Sequence, residues 1–76
     1  MSNPLSFPPP APTGDITGQT FLIRFEEIGF AKSKCVEHRA DHYKFDVEVD
    51  GEIWPFTIYW DEWLDQYSLG RIKPTT

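Results

Sequence analysis

Residues 45–60, FDVEVDGEIWPFTIYW, alternate apolar and polar side chains on both sides of Asp50-Gly51. A period of two sends successive side chains to opposite faces of a strand. A two-residue Asp-Gly loop favours a type I′ turn, in which both central residues have positive φ. The pattern therefore predicts a β-hairpin and its register: Val49 faces Glu52, Val47 faces Trp54, Phe45 faces Phe56 and Tyr43 faces Ile58. One face then carries Tyr43, Phe45, Val47, Val49, Trp54, Phe56, Ile58 and Trp60, and this is the expected core face. The other carries His42, Lys44, Asp46, Glu48, Ile53, Pro55, Thr57 and Tyr59. A one-residue slip would exchange the two sets, so burial enforces the register.

Pro55 adds topology. Val49 and Glu52 form the hydrogen-bonded pair that closes the turn, and such pairs alternate along an antiparallel ladder. Asp46–Pro55 is then a non-hydrogen-bonded pair, and the missing N–H of Pro55 falls on the side away from the partner strand. A further strand on that side is disfavoured, so the last hairpin strand is expected at an edge.

Upstream, residues 20–28 read as the first strand, with Phe21, Ile23 and Phe25 alternating against Leu22, Arg24 and Glu26. Residues 30–41 have no clear period and fit either the first half of a long second strand or a short helix between loops. Downstream, residues 61–69 read as a helix. Asp61 is the expected N-cap, Glu62 and Asp65 suit the positive end of the dipole, and Gly70 is the expected stop. Trp60, Trp63, Leu64 and Tyr67 share one helical face and need a surface to pack on. The expected fold is α+β: a small two-layer domain, with a three-stranded antiparallel meander of order 1-2-3 and a short C-terminal helix on one face. Both strand one and strand three are then edges. Residues 20–72 form this β-β-β-α domain, preceded by a Pro-rich tail over 1–19 (Pro4, Pro8, Pro9, Pro10 and Pro12) and followed by a tail over 73–76. Phe7-Pro8-Pro9-Pro10 fits a polyproline II ligand for an aromatic groove.

A chain of 76 residues makes one small domain, and its aromatic residues can supply the core that such a size otherwise lacks. No apolar run reaches the length of a membrane span. The segment MSNPLSFPPPAP lacks the basic and apolar regions of a signal peptide. A lone Cys35 forms no internal disulfide and suits a reducing compartment. A cytoplasmic location is expected.

Net charge is −5, and its distribution is uneven. Lys32, Lys34, Arg39 and Lys44 cluster mid-chain, whereas residues 45–69 carry Asp46, Glu48, Asp50, Glu52, Asp61, Glu62 and Asp65 with no Lys or Arg. Direct nucleic-acid binding by phosphate neutralisation needs a clustered basic face and is not expected.

Three chemistries come under consideration. Cys35, His38 and His42 have the spacing C-x2-H-x3-H, which on a helix would align three zinc ligands, but no second Cys pair accompanies them. Cys35 near His38, with Lys32 and Lys34 to favour a thiolate, has the parts of a nucleophile but neither an oxyanion hole nor an orienting group. The carboxylates are plentiful but lie on solvent faces. An enzyme is not expected, and neither is a cofactor or a metal.

What remains is a binding surface. Asp46, Glu48, Ile53 and Tyr59 share the outer hairpin face, and Asp61, Glu62 and Asp65 project from the helix that follows. Acids mixed with Ile and Tyr fit a protein interface. The expected function is an adaptor or inhibitor that docks this surface on a basic site of a larger protein. Alternatives are a nucleic-acid mimic that fills a DNA- or RNA-binding groove, an assembly component that self-associates through a sheet edge, and a small metal-binding or Cys-dependent protein.

Overall fold

The hairpin forms as its alternation dictates. The computed structural model, which describes residues 11–75, pairs β3 (His42–Val49) with β4 (Glu52–Tyr59) in the register read above, from Val49 opposite Glu52 to His42 opposite Tyr59. Asp50 and Gly51 have φ of 51° and 81°, the positive values a type I′ turn requires. Pro55 lies opposite Asp46, and β4 is an edge strand.

The sheet has five strands rather than the expected three, in the order β4-β3-β2-β1-β5. β1 (Thr20–Phe25) is shorter than predicted, and the chain turns through residues 26–28. The ambiguous segment is β2 (Gly29–His38), a strand between β1 and β3 and not a helix. A register shift between Cys35 and Glu37 marks a β-bulge, which breaks the period that would have revealed the strand. β5 (Ile72–Pro74) pairs antiparallel with β1. Strand one is therefore interior and pairs with β2 and β5. β5 is too short for a sequence signal of its own, and Pro74 fits it only to an edge.

α1 (Trp60–Ser68) begins at Trp60, with Tyr59 at the N-cap and no side-chain cap. Asp61 and Glu62 lie inside its first turn, which corrects Asp61 as the N-cap. At the other end Gly70, at φ 76°, donates its N–H to the Tyr67 carbonyl, and Arg71 donates to Gln66. These two bonds are a Schellman stop.

The helix lies on the core face. β2 turns the small side chains of Ala31, Ser33 and Cys35 into that face, all buried. The space above them admits larger neighbours: Phe21 from β1 and Phe45 from β3 meet edge to face with ring centres 6.1 Å apart. Trp63 closes the cluster, 5.4 Å from Phe21 and 5.0 Å from Tyr43. Each edge-to-face pair adds about 0.5–1.5 kcal/mol to the apolar burial.

The segment over 11–19, read from its prolines as part of a tail, is laid on this cluster. Ile16 is buried, Tyr43 donates its hydroxyl to the Gly14 carbonyl at 2.6 Å, and Trp63 donates its indole N–H to the Pro12 carbonyl at 2.9 Å. Gly18 N–H bonds to the Cys35 carbonyl at 2.7 Å. A buried phenol and a buried indole each need a partner, and this strap supplies both. Phe7-Pro8-Pro9-Pro10 lies outside the described residues. Among the described residues, no helix is long and apolar enough to cross a membrane.

Candidate functional site

The helix and strap cover only one end of the core face. At the other end, Val49, Trp54 and Phe56 stand on the same side of the sheet as Tyr43 and Phe45 but beyond the helix. Trp54, expected in the core, is 55% exposed. The β3–β4 turn lies beyond the helix: Val49 of its last core-facing pair is only partly buried, and Glu52 opposite it is exposed. With Phe25, Ile28 and Val47, these residues line an apolar groove of about 370 Å³. Phe25 and Phe56 form its floor, edge to face at 5.1 Å. Glu26 and Glu27 from the β1–β2 turn line the same groove, and no basic residue among the described residues does. Asp50 and Glu52 sit at the adjoining hairpin tip.

Alternation missed this site because it reports which face a side chain takes and not whether that face is covered. One signal was available. The helical stripe from Trp60 to Tyr67 is two turns long, about 11 Å at 1.5 Å per residue. A strand of eight residues, such as β4, spans about 27 Å.

The residues proposed from sequence fall on two sides of the molecule. Asp46, Glu48, Ile53 and Tyr59 share the sheet face opposite the helix, with Tyr59 at the far end of β4 from Ile53. That face is not purely acidic. Lys34 lies opposite Asp46, and Lys32 and Lys34 line one shallow depression with Asp46, Glu48 and Ile53. Charges that are separate along the chain are neighbours across the sheet, because β2 and β3 are adjacent antiparallel strands. Tyr59 stacks near His42, with ring centres 5.1 Å apart. Asp61, Glu62 and Asp65 are exposed on the helix, in the other layer, so the seven residues do not form one continuous face.

Cys35, His38 and His42 are not brought together. Cys35 is fully buried on the core face, where its thiol contacts the Glu37 carbonyl at 3.6 Å. His38 stands at the margin of that face beside Tyr43 and Trp60. His42 is on the opposite face, bonded to Asp41 at 2.6 Å. The helical spacing of the three fails because Cys35 and His38 lie on the bulged strand β2 and His42 begins β3 after a turn. No group of three or more potential metal ligands occurs among the described residues. Burial pushes the Cys35 thiol above its ordinary value, which disfavours the thiolate a nucleophile needs.

The chain shows no significant match to any family model, to any curated protein or to any solved structure.

Proposed function

We propose that this protein is a non-catalytic binding module of the cytoplasm, an adaptor or inhibitor that docks on a basic site of a larger protein. The observation that carries the reading is Trp54: a large aromatic side chain 55% exposed at the mouth of an apolar groove whose charged lining, among the described residues, is Glu26 and Glu27. Exposed apolar patches with a polar rim mark interaction sites, and Trp is the residue most enriched among those that dominate binding energy. Glu26, Glu27 and Glu52 near the groove, and Asp61 and Glu62 at the far end of β4, select for Lys and Arg on the partner. Ile53 and Tyr59 extend the contact around β4. Asp46 and Glu48 contribute less, because Lys32 and Lys34 offset them. The same lysines weigh against a nucleic-acid mimic, which needs an unbroken run of negative charge.

Affinity capture from the native host tests this directly. A Glu26→Lys/Glu27→Lys/Glu52→Lys variant should lose the captured partner while its circular dichroism is unchanged. An Asp46→Asn/Glu48→Gln variant should retain it. Equal capture by wild type and the lysine variant would refute the reading.

A further inference from the structure

We infer that β4 is a docking edge: it accepts an extended, basic-ended segment of a partner protein as a sixth strand. This rests on the reading above that the molecule is a protein-binding module.

The backbone of β4 is prepared for it. Val49–Glu52 is a hydrogen-bonded pair, so Ile53, Pro55, Thr57 and Tyr59 occupy non-hydrogen-bonded positions opposite β3. The N–H groups of Ile53, Thr57 and Tyr59, and the carbonyls of Ile53, Pro55 and Thr57, therefore point out of the sheet along its open edge. Pro55 removes one donor and leaves the rest of the ladder intact.

The two sheet edges differ. β5 has three residues including Pro74, carries Lys73, and is tied down by the Thr75 hydroxyl bonding to the Thr20 carbonyl at 3.2 Å. Short length, proline and lysine are the usual protections of an edge. β4 has eight residues; it carries one protection of its own, Pro55, which blocks a single outward donor position, and its one charge, Glu52, is at its first position. It exposes Ile53 and Tyr59 on one face and Trp54 on the other. An added strand would cover apolar surface on both sides of the sheet while completing the ladder.

Charge selects the occupant. Acids stand at both ends of β4, with Asp50 and Glu52 at the hairpin tip and Asp61 and Glu62 at the helix start. A second copy paired antiparallel along most of β4 would bring its helix-start acids beside the tip acids of the first. A parallel copy would set tip against tip. Like charges opposite one another destabilise a strand pair, so self-pairing is opposed. A heterologous segment with Lys or Arg at both ends and β-branched or aromatic residues between them meets the same acids favourably. In such strand addition, main-chain bonds give affinity and alternate side chains give specificity.

A displayed library of random 12-residue peptides, selected on the full chain, provides the probe. Enriched peptides are expected to be basic at both ends and β-forming between. The best of them, made synthetically, should shift the Ile53, Thr57 and Tyr59 amides in a nitrogen-15 NMR titration. N-methylation at an edge-facing position of the peptide should weaken binding by about tenfold per bond removed. A Thr57→Pro variant, which loses an edge donor unused within the molecule, should weaken it similarly. Peptides that bind but are insensitive to N-methylation and leave those amides unshifted would overturn strand addition and leave the binding module standing. No enrichment over the unselected library would overturn both.

Discussion

Trp63 and Trp54 both lie over the same face of one sheet, yet the first is fully buried and the second is 55% exposed. Around Trp63, three layers of contact converge: Phe21 and Phe45 from the sheet, Tyr67 from its own helix, and the Pro12 carbonyl from the strap. Around Trp54 the helix has already ended its reach, and the neighbours are a turn and a groove. Identical chemistry thus holds the fold together at one end of the face and is left free to bind at the other. What separates them is coverage, set by a nine-residue helix crossing a sheet too long for it.

The largest effect expected from this contrast is on stability. Trp63→Ala should cost about 3–5 kcal/mol, the range for deleting a core aromatic side chain. In a domain of this size that takes much or all of the folding free energy. Urea denaturation of the variant checks it. A loss below about 1 kcal/mol would mean that Trp63 is not the centre of the covered end.

The next effect concerns the strap. Tyr43→Phe keeps the ring and removes the hydroxyl that donates to the Gly14 carbonyl and accepts from the Gly14 N–H. The expected loss is about 1–1.5 kcal/mol, together with faster amide exchange at Gly14 and Gly18. Unchanged exchange would show that the strap is held without Tyr43.

How much of this contrast was readable beforehand follows from where the information lies. The β3–β4 register, the positive-φ turn, the edge position of β4 and the Gly70 stop are local in sequence, and each was legible from a few residues. β2 was legible only as one of two alternatives, strand or helix, although Ala31, Ser33 and Cys35 alternate with Lys32 and Lys34. Its inward side chains are small because larger neighbours from β1 and β3 close over them, and Val36 at the bulge ends the period. β5 and the strap exist only through distant partners, Ile23 for Ile72 and Tyr43 for Gly14. The groove was hidden for the same reason, since it depends on how far a helix extends over a sheet. The mixing of Lys34 with Asp46 likewise required β2 to be recognised as a strand.

A third effect is confined to alkaline solution and belongs to the covered end alone. Burial pushes the Cys35 thiol and the Tyr43 and Tyr67 hydroxyls above their ordinary values. The native state then keeps protons that the unfolded chain has released, so stability falls as pH rises. The Cys35 contribution is complete below the ordinary cysteine value of 9.0 and is lost as the pH climbs from there through the raised native value. The tyrosines follow above their ordinary 10.0. Urea midpoints should fall beyond pH 9, and Cys35→Ala should flatten the first part of that decline. A decline identical in the variant would assign it to the tyrosines.

The smallest stability effect, and the sharpest test of the comparison, is at the open end. Trp54→Thr replaces a half-exposed side chain by another good strand former, so the cost should be under about 1 kcal/mol, within the ordinary surface range or slightly beyond it. Trp54 is also reachable by solvent, whereas Trp63 is enclosed. Acrylamide quenching should therefore lose its most accessible component on going from the wild type to Trp54→Thr, leaving the partly buried Trp60 and the enclosed Trp63. The same variant should lose most of its affinity for partners captured through the groove, because the anchor is gone while the acids that steer the encounter remain. Destabilisation as large as that of Trp63→Ala would make Trp54 a core residue after all. Retained binding with unchanged stability would leave the acidic rim, rather than the exposed aromatic side chain, as the source of recognition.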